Sequence, residues 1–206
     1  MRREAVVFDI GNVLVQWQPD AFYDRLIGPE RRRALMAEVD LHGMNEGMDR
    51  GAPWLPSVRA LAGAHPGWAD EIMCWHGRWI EMLSPAIDHS VRLLRALRAR
   101  GVPVFALTNF GVETLEQARA RYPFLCEFDR AYVSGALRLM KPEPAIYAAV
   151  EADCRIAPGA LLFADDRPEN IAAAAARGWG VHLFEGPQGW ADRLVAEGLL
   201  DAAEAG

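Results

Sequence analysis

The chain is poor in cysteine and has no long hydrophobic run. Its three cysteines, Cys74, Cys126 and Cys154, lie far apart, without a CxxC pair or histidines at ligand spacing. That excludes a disulfide framework and a cysteine zinc site. No stretch approaches the roughly 20 apolar residues of a membrane span. Met1-Arg2-Arg3-Glu4 leads straight into an apolar run and leaves no room for a signal peptide, so a cytoplasmic location with reduced thiols is expected. Positive charge is also in deficit: 22 Lys and Arg against 28 Asp and Glu leave a net charge of -6, which argues against a nucleic-acid partner. Runs such as Glu30-Arg31-Arg32-Arg33 and the series Arg92, Arg95, Arg98, Arg100 read as solvated helix faces. There is no internal repeat, and Ala172–Ala176 is only a good helix former.

What remains is a globular chain of 206 residues, long enough for one sizeable core and an insertion. Apolar strand-like runs at Ala5–Phe8, Val102–Leu107, Ala131–Val133, Leu161–Ala164 and Val181–Phe184 alternate with helical patterns at 90–100, 112–121, 143–152, 168–177 and 188–197. This alternation predicts an α/β fold with a doubly wound, Rossmann-like parallel sheet. Gly101 and Gly178 follow helices ending in Arg and read as left-handed C-caps. About ninety residues separate the first two strand runs, far more than a crossover needs. Residues 16–88 are therefore expected to form a helical cap, with 1–15 and 89–206 forming the core. Within the cap the pattern predicts helices at Asp20–Ile27, Pro29–Val39, Ser57–Ala64 and Trp68–Leu83, and a Gly- and Pro-rich loop from Gly43 to Pro56. Trp68, Ile72, Trp75, Trp79 and Met82 form one apolar stripe, suited to core packing or to roofing a site.

Four polar groups each follow an apolar run: Asp9, Thr108-Asn109, Lys141 and Asp165-Asp166. Strand C-termini of an open α/β sheet converge on one edge, where such sheets bind ligands. A carboxylate attacking phosphorus meets like-charge repulsion, which a divalent cation and a cationic side chain offset. Asp9 and Asp166, supported by Asp165, suit Mg²⁺, which takes one or two carboxylates plus substrate phosphate. Lys141 supplies positive charge, and Thr108 Oγ with the backbone around Asn109 supplies hydrogen bonds to a phosphate oxygen. Singly, each group has a structural explanation, such as a helix cap for the Asp pair or a surface turn for Lys141. Their joint order favours the catalytic one.

Asp9-Ile10-Gly11-Asn12-Val13-Leu14, Leu107-Thr108-Asn109, Lys141-Pro142-Glu143-Pro144-Ala145-Ile146-Tyr147 and Phe163-Ala164-Asp165-Asp166-Arg167-Pro168-Glu169-Asn170-Ile171 together resemble the haloacid dehalogenase superfamily, in its order and across the core. The Asp-x-Gly-Asn-Val form resembles a subgroup of sugar-phosphate phosphatases that includes bacterial glucose-1-phosphate phosphatases. The resemblance implies an aspartyl-phosphate on Asp9 and Mg²⁺ held by Asp9, the Gly11 carbonyl and Asp166. It also implies phosphate held by Thr108, Asn109 and Lys141, with Asp165 orienting Lys141 or a metal-bound water. The expected activity is Mg²⁺-dependent hydrolysis of a small phosphorylated metabolite, such as a sugar phosphate, with no membrane partner.

Gly11 departs from that pattern, because most phosphatases of the superfamily have an acid–base Asp there. The carbonyl survives, but either the substrate has an easy leaving group that needs little proton donation, or the acid comes from the cap, where His42, Glu46, Asp49 and His76 are candidates. Three other readings share some of these features. A 2-haloacid dehalogenase would use Asp9, Lys141 and Tyr147 without metal, but the Asp165-Asp166 pair favours a metal enzyme. A receiver-type signalling domain would present its acidic pair first in the chain. A binding protein with the same fold and little turnover is the third.

Overall fold

The computed structural model describes residues 2–206. In chain order the elements are β1 (Ala5–Phe8), β2 (Val15–Trp17), α1 (Pro19–Ile27), α2 (Pro29–Glu38), α3 (Leu41–Asp49), α4 (Trp54–Ala64), α5 (Ala69–Gly77), β3 (Leu83–Ala86), α6 (Asp88–Ala99), β4 (Val104–Thr108), α7 (Val112–Arg121), β5 (Arg130–Val133), α8 (Ser134–Leu137), α9 (Pro144–Cys154), β6 (Leu161–Asp165), α10 (Pro168–Ala176), β7 (Gly180–Leu183) and α11 (Pro187–Ala196).

The main sheet is five-stranded and parallel, in the order β5-β4-β1-β6-β7. Its residues alternate between two cores, as a period of two requires. Ala5, Val7, Phe105, Leu107 and Phe163 pack with Ile146, Tyr147 and Val150 of α9. Val6, Phe8, Ala106 and Leu162 face the other way, toward Leu94 and Leu97 of α6 and Trp190 and Leu194 of α11. Helices on both faces bury the central strands, which explains why they read as continuous apolar runs. The predicted sheet architecture holds, and boundaries shift by a few residues: β4 starts after Pro103 and gains Thr108, and β6 gains Asp165. Gly101 and Gly178 adopt the expected left-handed conformation, with φ of 72° and 85°.

The insertion differs from expectation in three ways. The predicted loop from Gly43 to Pro56 is largely helical. Asp40 caps α3 by accepting the Gly43 N–H at 2.8 Å, and Leu41 and Met48 bury one side of the helix. A capped, anchored helix tolerates the propensity cost of Gly43 and Gly47. The predicted Trp68–Leu83 helix is broken: α5 ends at Gly77, a short 3₁₀ turn spans Trp79–Glu81, and Leu83 begins a strand. The stripe nevertheless stays inward, with Ile72, Trp75, Trp79 and Met82 buried and Trp68 partly so. Finally, β2 and β3 pair antiparallel, Val15 opposite Ala86 and Trp17 opposite Leu83, so both connections to the helical segment run through one small ribbon. Among the described residues, no helix is long and apolar enough to cross a membrane.

Candidate active site

Asp9 directly follows β1, the strand at which the chain's winding direction reverses. Such a reversal opens a crevice at the strand C-termini. Thr108 and Asp165 end the two neighbouring strands, β4 and β6. Lys141 lies between α8 and α9 and reaches the same place, and all four side chains are buried.

Lys141, the only lysine in the chain, is 2% exposed. Its Nζ lies 2.9 Å from Asp9 Oδ1 and 2.6 Å from Asp165 Oδ2. Burial alone would lower its pKa, but Asp9 and Asp165 outweigh it and raise the pKa, keeping an ammonium there. Asn109 grips its main chain: Nδ2 donates to the Lys141 carbonyl and Oδ1 accepts the Lys141 N–H, both at 2.9 Å. The Asn109 amide is therefore committed to Lys141, which leaves its backbone to face a ligand.

The three carboxylates are not equivalent, although oxygens of Asp9, Asp165 and Asp166 lie within 4.8 Å of one another. Asp165 is saturated. Its Oδ1 accepts from the Arg167 N–H at 2.8 Å and Asn170 Nδ2 at 2.9 Å, and its Oδ2 accepts from Lys141 and from Asn170 Nδ2 at 3.0 Å. Asp9 Oδ1 accepts from the Ile10 N–H at 2.7 Å as well as facing Lys141, while Oδ2 has no hydrogen bond among the described residues. Asp166 is half-buried and accepts from Asn12 Nδ2 at 2.9 Å. Asn12 is left-handed, with φ of 55°, a conformation asparagine adopts more readily than most side chains, and its Oδ1 accepts the Trp17 N–H at 2.9 Å. It thus ties Asp166 to β2. Neither Asn12 nor Asn170 was given a role from sequence; their places beside Asp9 and the Asp pair were the available signal.

Burial raises the Asp9 carboxyl to about 7, with Lys141 opposing and Asp165 and Asp166 adding; burial also raises Asp166, again with Asp165 adding. Three acids around one ammonium leave the cluster short of positive charge. That shortage and the hard oxygen donors fit a divalent cation held by Asp9 and Asp166 beside Gly11.

The cluster forms the floor of a cavity of about 300 Å³. Trp17, Trp79 and Phe110 wall one part, with ring centroids 5.5 Å apart for Trp17–Trp79 and 5.6 Å for Trp79–Phe110. Helix α3 supplies His42, Asn45, Glu46 and Asp49. His76 does not line it; its ring packs 4.5 Å from that of Trp54.

Residues 4–178 match the family described as haloacid dehalogenase-like hydrolase. The chain belongs to that family. Among relatives of this haloacid dehalogenase-like hydrolase, the sesquiterpene phosphatase astK of Aspergillus oryzae is 26% identical over 183 residues, 88% of this chain and 90% of the relative. Among solved structures, the HAD family enzyme bt-2542 of Bacteroides thetaiotaomicron superposes with a TM-score of 0.72 at 19% identity, covering 94% of this chain and 99% of that one. The same enzyme in complex with magnesium and inorganic phosphate gives a TM-score of 0.68 at 21% identity, covering 89% and 95%. The L-2-haloacid dehalogenase of Xanthobacter autotrophicus gives 0.61 at 22% identity, covering 98% and 86%.

Proposed function

We propose that this hydrolase is a Mg²⁺-dependent phosphomonoesterase that works through an aspartyl-phosphate on Asp9. The observation that carries this is the division of labour at Asp9: Oδ1 is held by Lys141 and the Ile10 N–H, while Oδ2 has no hydrogen bond among the described residues, and Asp166 presents an oxygen within 4.8 Å of the Asp9 carboxylate. A fixed carboxylate with one unbound oxygen is a prepared nucleophile. The magnesium and phosphate complex of the Bacteroides enzyme and the phosphatase from Aspergillus agree with this chemistry.

Asp9 Oδ2 attacks phosphorus, and the bond to the ester oxygen breaks. Thr108 Oγ, the Asn109 backbone and the Lys141 ammonium hold the phosphoryl oxygens. Asp165, fully engaged by donors, fixes Lys141 in place. Mg²⁺, held by Asp9, the Gly11 carbonyl and Asp166, would neutralise phosphate charge as the transferring group passes. Residues 16–88 act as a cap that carries the far wall of the cavity.

We assign a small substrate, because about 300 Å³ lies at the low end of the roughly 300–1,000 Å³ range of ligand pockets. A sugar phosphate suits the wall best: aromatic faces at Trp17 and Trp79 meet the ring, and Asn45, Glu46 and His42 meet its hydroxyls. The dehalogenase alternative is weaker, since displacement at carbon does not require the cation that this acidic cluster favours. The Tyr147 hydroxyl, moreover, is buried and donates to the Asn170 carbonyl at 3.1 Å, and Tyr147 does not line the cavity.

The test is hydrolysis of aryl phosphate with Mg²⁺ and with EDTA, beside Asp9→Asn, followed by a panel of hexose, triose and isoprenoid monophosphates. Turnover that needs Mg²⁺ and Asp9 is expected, with hexose phosphates preferred. Activity that survives EDTA or Asp9→Asn overturns the mechanism, halide release from a 2-haloacid replaces it with dehalogenation, and preference for the isoprenoid ester overturns the sugar assignment.

A further inference from the structure

Hydrolysis of a phosphate monoester moves two protons. The departing oxygen needs one, and the water that cleaves the phospho-enzyme must lose one. Position 11, two residues beyond Asp9, is glycine and can do neither. A Cβ built there would meet nothing within 4 Å, so space beside the reacting oxygen is open to a group from elsewhere.

The titratable groups lining the cavity sort by what already occupies them. Lys141 is locked between two carboxylates, and Asp166 is tied to Asn12 beside Asp9. Arg167 pairs with Glu169, and His42 and Glu46 are exposed. Asp49 is different, being half-buried at the end of α3 and held from two sides. Asn45 Nδ2 donates to its Oδ2 at 2.9 Å, and the Gly111 N–H faces its carboxylate closely enough to favour the charged form. Asn45 is itself oriented by the buried Trp75, whose Nε1 donates to Asn45 Oδ1 at 3.2 Å. Gly111 lies three residues beyond Thr108, so the loop that carries the phosphate-facing groups also fixes Asp49.

We propose that Asp49, supplied by the helical insertion, is the acid–base group of the reaction and takes the place that glycine leaves vacant at position 11. The inference rests on the phosphatase assignment. In the first step Asp9 Oδ2 bonds to phosphorus, the phosphorus–ester bond breaks, and the proton of Asp49 passes to the departing oxygen to give the free alcohol. In the second, water bonds to phosphorus and its proton passes to the Asp49 carboxylate. The bond from phosphorus to Asp9 breaks, releasing inorganic phosphate and restoring both side chains. Burial sets Asp49 up for both roles. Opposed by the Gly111 N–H and Lys141, and reinforced by Glu46 and Asp9, it raises the carboxyl to about 7, so both protonation states are populated near neutrality.

The test compares Asp49→Asn with wild type on phenyl phosphate, a poor leaving group, and 2,4-dinitrophenyl phosphate, which leaves without a proton. The amide keeps the shape, and its oxygen can still accept from Asn45. We expect kcat/KM for phenyl phosphate to fall about 10²–10⁴-fold, with a fall of no more than about tenfold for the dinitrophenyl ester, whose retained turnover reports a folded enzyme. In wild type, kcat/KM for phenyl phosphate should decline above about pH 7, and the variant should lose that decline. With the dinitrophenyl ester, whose first step needs no proton, phospho-enzyme should also accumulate in the variant. Asp49→Ser gives the same comparison in a second background. Equal losses on both esters in the two variants, or no loss on phenyl phosphate, overturn the role of Asp49 while Mg²⁺-dependent wild-type turnover leaves the phosphatase assignment intact. A wild-type enzyme inert toward both esters overturns that assignment and this inference with it.

Discussion

Asn109 and Lys141 hold each other by two reciprocal hydrogen bonds, amide to carbonyl and backbone N–H to amide oxygen, both at 2.9 Å. The pair clamps the loop after α8 to the end of β4, and the position of the ammonium depends on it. Asn109→Ala should therefore remove no charged group yet displace the ammonium and lower kcat/KM for aryl phosphate by about 10²-fold, the scale of a 1 Å misplacement. Inhibition by inorganic phosphate should weaken in parallel. A variant with wild-type kinetics and wild-type phosphate inhibition would show that the clamp does not position Lys141.

Lys141 is buried against Asp9 and Asp165, so removing it leaves two acids without their counter-charge. Lys141→Met should abolish turnover and cost about 3–5 kcal/mol of stability near neutral pH, as expected when one partner of a buried pair is deleted. Asp9, raised by burial, then loses the charge that opposes that rise, so the folded variant binds more protons and regains stability as pH falls toward about 5. Urea titrations at both pH values check this; a deficit that does not shrink on acidification would place the damage in packing instead.

Asp49 makes a separate prediction about stability. Its folded pKa, raised by burial to about 7, exceeds the 3.8 of an ordinary aspartate, so the folded state binds the extra proton between those limits. Wild-type stability should therefore decline as pH rises from about 4 to about 7 on this account, and Asp49→Asn should not share that decline. The thermal midpoint of Asp49→Asn should match wild type near pH 4 and exceed it near pH 8. Parallel curves across that window would contradict the burial of the charge.

Asn12 acts at one remove from the proposed cation. It holds Asp166 by its amide and the Trp17 N–H by its oxygen. Asn12→Ala should raise the Mg²⁺ concentration needed for half-maximal activity by about 10–100-fold, the usual cost of losing a group that orients a ligand. Asp166→Asn should raise it further. Calorimetric Mg²⁺ titration separates this from a change in turnover, and an unshifted midpoint in Asn12→Ala would remove the residue from the metal's support.

The sheet was readable because its strands are buried on both faces. An apolar run that stops at a polar residue marks a strand end, and this located Asp9, Thr108, Asp165 and their shared edge. The α3 segment was not readable. Its two glycines mimic a loop, and what makes it a helix is local capping by Asp40 and the burial of Leu41 and Met48. A Cβ at position 43 would collide with the Asp40 carboxylate, so the same glycine that obscures the helix permits its cap. Missing α3 left four insertion residues as equal proton-donor candidates, whereas the helix presents three of them to the cavity and His76 packs against Trp54. The ribbon of β2 and β3 escaped for another reason: strands of three and four residues carry too little periodicity, and their pairing spans almost seventy residues.

Every cationic side chain in this chain except one, histidines aside, is a guanidinium, and the exception lies beneath the cavity. Amine-selective chemistry thus has a single side-chain target. Reductive methylation with ¹³C-formaldehyde would install one lysine reporter in the whole protein, on the nitrogen that touches both Asp9 and Asp165. Its resonance would follow the charge on those two acids without mutation or assignment, and its rate of labelling would record how often the buried amine becomes reachable from solvent.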